Sequence, residues 1–107
     1  MTPEGKTKRE ILHYLEFIGV FHWVNQAGKI PGRRLLKTGI SDILGCYKGR
    51  LLAIEVKAGK ANPTADQLEF IQDVNMAGGL AFVARSVEDV AQKLKRVSLS
   101  EPDVRLP

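Results

Sequence analysis

Three charged residues have the types and spacing of a site that could hold a divalent cation beside a phosphate. They are Asp42, Glu55 and Lys57. Carboxylate oxygens are hard ligands that suit Mg²⁺ or Mn²⁺, and a lysine can reach a water or a phosphate next to such an ion. Zinc fits less well, because the chain has one cysteine, Cys46, and two histidines without metal-ligand spacing.

Glu55 and Lys57 end an apolar segment, residues 51–57, which has the composition of a central strand buried on both faces. Side-chain alternation along a strand puts both charges on one face. Burying unpaired charges is costly, so their presence calls for a partner or a ligand.

The position of Asp42 relative to Glu55 depends on the turn between the two strands. A two-residue turn at Lys48 and Gly49 would make the carboxylates face each other about 5 Å apart, where like charges repel and a cation is favoured. A three-residue turn would move Asp42 to the other face unless a bulge restored it. The alternative is an ordinary salt bridge from Glu55 to Lys57, with Asp42 capping a turn.

The elements that position these residues follow from hydrophobic periodicity and from turn and cap signals. The pattern predicts an α/β domain with the order α-β-β-β-α-β-α. The predicted helices cover residues 2–18, 63–77 and Ser86 onward, and the strands cover residues 20–25, 42–47, 51–57 and 80–84. We assign residues 1–97 to one domain and residues 98–107 to a C-terminal tail.

Composition limits the functional classes. The 107-residue chain carries 16 Lys plus Arg against 12 Asp plus Glu, a net charge of +4 that suits a polyanionic partner. A single cysteine excludes an internal disulfide and fits a reducing compartment. Without an apolar stretch of membrane-spanning length or a signal-peptide pattern, we expect no membrane association and a cytoplasmic protein.

The ordered motifs resemble those of PD-(D/E)XK nucleases. Gly39-Ile40-Ser41-Asp42 is followed, after twelve residues, by Glu55-Val56-Lys57. The surroundings resemble the VRR-NUC branch, the virus-type replication and repair nucleases: residues 2–6 (Thr-Pro-Glu-Gly-Lys), Trp23-Val24-Asn25, Gly28 and Gln67. The resemblance runs from about Thr2 to about Leu94, and Ser41 stands where the family has proline.

This resemblance implies a restriction-endonuclease-like core with a central mixed sheet flanked by helices. It implies that Asp42, Glu55 and the carbonyl of Val56 bind Mg²⁺ or Mn²⁺. Lys57 would orient the attacking water or stabilise the transition state. Glu4 and Gln67 would be accessory catalytic residues at the metal or its waters.

The implied activity is that of a metal-dependent endonuclease acting on DNA, with branched DNA such as four-way junctions as substrate. A homodimer is expected, without a small-molecule cofactor beyond the metal, in the cytoplasm of a bacterial or phage-infected cell. The main alternative is a nucleic-acid-binding module with the same fold and no catalysis. A small structural protein whose basic charge is incidental is a weaker one.

Several residues have a structural interpretation beside the functional one. Glu4 is favoured in the first turn of any helix, and we expect it to point inward with the apolar stripe. Gln67 stands three residues after Thr64, so it either completes a capping box or acts at the site. For Trp23 we favour a core position over base stacking, and for Cys46 core filling over a nucleophilic role.

A basic loop follows the first predicted strand. Its cations are either solvated or in contact with DNA phosphates, and beside a nuclease site we favour phosphate contacts. They are Lys29, Arg33, Arg34 and Lys37.

Overall fold

The computed structural model describes residues 1–26 and 38–100 of the chain. These residues form the predicted α/β element order. The elements are α1 (Pro3–Ile18), β1 (Phe21–Val24), β2 (Ile43–Tyr47), β3 (Arg50–Val56), α2 (Ala65–Met76), β4 (Leu80–Ala84) and α3 (Val87–Ser100). α3 thus includes residues 98–100, the first three residues of the predicted C-terminal tail.

The sheet is mixed, as expected, with the strand order β1-β2-β3-β4. β1, β2 and β3 pair antiparallel, whereas β4 pairs parallel to β3 because α2 provides the crossover between them. At the outer edge of β4, the Asn75 side chain of α2 donates to the carbonyl of Ala81 over 2.9 Å and accepts its N–H over 2.8 Å. This pairing closes part of an edge that would otherwise expose backbone groups.

The helix ends follow the cap residues in the sequence. The Thr2 hydroxyl accepts the N–H of Gly5 over 3.0 Å, and Gly19 ends α1 with a φ of 77°. At α2, Thr64 and Gln67 form the reciprocal capping box. In the part of the chain described, no helix is long and apolar enough to cross a membrane.

The two faces of the sheet are covered to different extents. α1 and α3 pack on one face, where Ile11, Leu15, Val90 and Leu94 contact Ile43, Ile54 and Phe82. On the other face, α2 packs over β3 and β4, where Val74 contacts Ala53 and Ala81. On this second face Leu44 of β2 packs at the margin of the α2 cluster, and beyond it, toward β1, no helix among the described residues packs on this face.

The uncovered part of the second face explains two wrong predictions. Trp23 is 43% exposed and Phe21 is 70% exposed, so Trp23 is not a core residue. Cys46, which pairs with Phe21 across the strands, is also exposed and does not fill the core. Aromatic and small apolar residues in a strand indicate its β conformation, but whether a helix covers that face depends on tertiary packing.

Candidate active site

The hairpin between β2 and β3 fixes the register of the three charged residues. Lys48 and Gly49 have φ values of 51° and 79°, as required at both central positions of a two-residue type I′ turn. Tyr47 therefore pairs with Arg50, and Ile43 pairs with Ile54. This is the predicted register.

Asp42 and Glu55 flank this last pair on the face opposite to Ile43 and Ile54, which is the α2 face of the sheet. The Asp42 carboxylate accepts the N–H of Val56 over 2.9 Å. The Lys57 ammonium lies 3.5 Å from a Glu55 carboxylate oxygen. The structure thus brings the three predicted residues together, while their catalytic roles stay predictions.

The Glu55 carboxylate is buried, and one of its two oxygens lacks a hydrogen-bond partner. Its side chain is 2% exposed, and the oxygen Oε1 is buried without a hydrogen-bond partner. Burial, as the largest cause, raises the pKa of Glu55 to about 8; the adjacent Asp42 carboxyl adds to this increase and Lys57 opposes it. A bound cation would favour the charged carboxylate that burial disfavours.

The oxygen atoms at this position fit a Mg²⁺ or Mn²⁺ ion. Glu55 Oε1 is available and the Asp42 carboxylate is adjacent. The Val56 carbonyl points to the Asp42 side of β3, because the N–H and C=O of one strand residue point the same way and this N–H binds Asp42. Within residues 1–26 and 38–100, no group of three or more His, Cys, Asp or Glu could hold a metal, so water would complete the coordination, as is usual for Mg²⁺.

Gly39 fixes the loop that leads to Asp42. Its φ is 74°, and a Cβ added there would lie 2.2 Å from the backbone oxygen of Asp66 in the first turn of α2. Only glycine permits this close backbone contact. The start of α2 thereby packs against the chain three residues before the candidate metal ligand.

We expect Gly39→Ala to lower the free energy of unfolding by about 2 kcal/mol more than the control Gly19→Ala does. Gly19 has a similar φ of 77° but nothing within 4 Å of an added Cβ, so it reports the conformational cost alone. Urea unfolding of both variants checks this difference. Equal destabilisation would mean that the contact with Asp66 does not constrain the loop.

Ser41 is fully buried next to Asp42, and its hydroxyl has no hydrogen-bond partner. Burying an unsatisfied hydroxyl is unfavourable. We therefore expect Ser41→Ala to raise the free energy of unfolding by about 1 kcal/mol. Thermal and urea unfolding test this expectation; a loss of stability would show that the hydroxyl is satisfied in solution.

Arg85 supports the chain after Lys57 and was not singled out from the sequence. Its guanidinium donates to the carbonyls of Gly59 and Ala61 over 2.9 and 2.6 Å. Asp89 accepts the N–H of Arg85 over 2.8 Å. The position of Arg85 directly after β4 was the sequence signal for this contact. Because β4 runs parallel to β3, the residues that follow the two strands lie at the same edge of the sheet.

Of the predicted accessory residues, Gln67 has a structural function. Its side-chain oxygen accepts the N–H of Thr64 over 2.8 Å, and its own N–H binds the Thr64 hydroxyl over 3.2 Å. Glu4 is exposed, so the prediction that it points inward is wrong. Its place in the first turn of α1 is already favoured by the helix dipole. The roles of Gln67 and Glu4 at the metal stay predictions.

The predicted phosphate-binding cations, Lys29, Arg33, Arg34 and Lys37, lie outside the described residues.

Comparison with solved structures identifies the fold. The chain superposes on a structure described as a VRR_NUC domain protein with a TM-score of 0.68, covering 90% of this chain and 88% of that chain at 19% sequence identity. The predicted VRR-NUC fold is therefore confirmed, and at this identity the likeness concerns the fold alone. No protein-family model matches the sequence, and no curated protein matches it either.

Proposed function

We propose that this chain is a metal-dependent DNA endonuclease that cleaves branched DNA as a homodimer. The observation that carries the proposal is the buried, unpartnered Oε1 of Glu55 beside Asp42, with Lys57 3.5 Å from the same carboxylate. The VRR-NUC fold supports a nuclease-type domain. The residues and the fold thus favour the same class of activity.

The proposed reaction is hydrolysis of a DNA phosphodiester. Asp42, Glu55 and the Val56 carbonyl would hold Mg²⁺ or Mn²⁺, which when bound lowers the pKa of a water and offsets negative charge on the phosphate and the leaving oxygen. Asp42 accepts the Val56 N–H, and this hydrogen bond orients its carboxylate before the substrate arrives.

Lys57 supplies a fixed positive charge. Its side chain is 13% exposed and its ammonium already lies beside Glu55, so it needs no large change of conformation to act there. From this position it would donate a hydrogen bond to the attacking water or to a phosphate oxygen. Such a preorganised charge stabilises the transition state more than a mobile one does.

The preference for branched DNA and the homodimer belong to this proposal as expectations. One small domain has limited surface for recognising a junction, whereas a two-fold dimer presents two sites to paired strands. Sedimentation equilibrium of the free protein tests the dimer. A panel of four-way junctions, flaps, single strands and blunt duplexes of equal length tests the substrate geometry.

Metal-dependent cleavage is the test of the central proposal. Labelled four-way junction and duplex DNA are incubated with the protein in Mg²⁺, in Mn²⁺ and in EDTA. Cleavage that requires the cation, with a junction rate well above the duplex rate, is the expected result. Salt-dependent binding without cleavage in either metal would instead indicate a non-catalytic binding module.

A further inference from the structure

The two aromatic residues of β1 form an exposed surface, here called the aromatic face, which consists of Phe21 and Trp23. Their ring centroids lie 5.6 Å apart with the planes tilted by 55°. Phe21 is 70% exposed and Trp23 is 43% exposed. Contiguous exposed apolar patches mark surfaces that bind a partner or a ligand, whereas single exposed apolar residues are ordinary.

The aromatic face is continuous with the candidate active site. Trp23 pairs with Leu44, which lies two residues from Asp42 on the same side of the sheet. Asn25 then donates its N–H to the Asp42 carbonyl over 2.8 Å, so the chain after β1 runs directly beside Asp42. Two residues along one strand and one step across place the Trp23 and Asp42 backbones about 8 Å apart.

The arrangement of the helices indicates what covers the aromatic face. α2 packs over β3 and β4 on this side, and α1 and α3 cover the opposite side, so among the described residues the open approach along this face crosses β1 and β2. A second protein copy seated on Trp23 would crowd the approach to Asp42. A nucleic acid strand with a phosphate at Asp42, Glu55 and Lys57 would instead bring its neighbouring nucleotide to Trp23.

We propose that Trp23, supported by Phe21, stacks on the unpaired base of the nucleotide that adjoins the cleaved phosphodiester. The inference rests on the proposed nuclease function and narrows its branched substrates to flaps and other branches with an unpaired base at the cleavage point, and to junctions whose base pair at the branch point has opened. A base inside a continuous duplex has both ring faces covered by its neighbours, whereas an unpaired base offers one face to an aromatic side chain.

Intrinsic fluorescence tests the stacking directly, because Trp23 is the only tryptophan in the chain. The wild-type protein is titrated in EDTA, at low salt, with a single-stranded oligonucleotide and with a blunt duplex of equal length. The expected result is strong quenching of the Trp23 emission by the single strand and weaker quenching by the duplex. No change of emission with either DNA would overturn the proposal.

Substitutions separate stacking from a structural effect. We expect Trp23→Ala to weaken single-strand binding by about 10-fold or more, with Trp23→Phe retaining most of the affinity. The matched control is Phe17→Ala, because Phe17 is an 87% exposed aromatic residue on α1, outside the aromatic face. Circular dichroism verifies that each variant is folded. Equal affinities for Trp23→Ala and Phe17→Ala would contradict the stacking.

Three further outcomes separate the stacking proposal from the nuclease proposal on which it rests and from a protein interface. If the parent cuts DNA in Mg²⁺ and Trp23→Ala cuts single-stranded and branched DNA at the parental rate, the stacking is wrong and the nuclease proposal stands. If the parent never cuts but Trp23 still discriminates single strand from duplex, the binding surface stands and hydrolysis fails. If Trp23→Ala changes the sedimentation mass but not DNA affinity, the aromatic face is a protein interface and the proposal is overturned.

Discussion

Asp42→Asn is expected to lower the rate of metal-dependent DNA cleavage by about 1000-fold or more while leaving the protein folded. Asparagine has nearly the same shape as aspartate, and its side-chain oxygen can still accept the Val56 N–H that Asp42 binds over 2.9 Å. It lacks the negative charge that a hard divalent cation requires. The variant therefore separates the ligand from the hydrogen bond.

The same substitution is expected to act in the opposite direction on stability. The Asp42 carboxyl contributes to the raised pKa of Glu55, so removing its charge relieves an unfavourable interaction in the metal-free protein. Urea unfolding in EDTA at pH 9, where most of Glu55 is ionised and repels Asp42, should show a free energy of unfolding equal to or above the parental value. Activity and stability that fall together would point to a damaged fold instead of a lost ligand.

A second site variant and one control variant complete this experiment. Lys57→Met is expected to reduce cleavage by about 100-fold or more, because it removes a fixed charge near the attacked phosphate and leaves both carboxylates in place. Glu88→Gln removes one exposed acidic charge from the first turn of α3 and should cleave at the parental rate. Parental activity in Asp42→Asn and Lys57→Met with Mg²⁺ would show that the site lies elsewhere.

The hairpin was predictable from the sequence because its determinants are local. Lys48-Gly49 between two apolar segments specifies a two-residue turn, and this turn sets the pairing of every residue in β2 and β3. The facing positions of Asp42 and Glu55 follow from alternation. Helix ends were predictable for the same reason, since Thr2, Gly19 and Thr64 act within one turn of their own helices.

Exposure of the apolar residues was not predictable from these local signals. Trp23 and Cys46 are residue types that often occur in buried strands, but they lie on the part of the sheet that α2 does not cover. Glu4 follows the same rule, since periodicity assigns it to the inner side of a helix whose first turn is exposed. Burial is a property of the assembled layers, and a single sequence does not specify which strands a helix crosses.

The pKa of Glu55 makes the stability of the metal-free protein fall as the pH rises. Glu55 titrates at about 8 when folded against 4.5 for the unperturbed group, so between these values the folded state holds a proton that the unfolded state has released. The contribution is fully present below pH 4.5 and is lost as the pH rises through 8. The loss is on the order of 5 kcal/mol, a large part of the stability of a small domain.

Glu55→Gln isolates this effect from the other titrating groups. Glutamine cannot ionise, so the difference in unfolding free energy between Glu55→Gln and the parent, measured in EDTA, should increase from pH 5 to about pH 8 and then level off. Mg²⁺ or Mn²⁺ should stabilise the parent more at pH 9 than at pH 6, because the cation binds the deprotonated carboxylate, and should not stabilise Glu55→Gln in this way. Parallel pH profiles for the two proteins in EDTA would mean that Glu55 is already charged at neutral pH. The buried pair would then require a source of positive charge other than a bound cation.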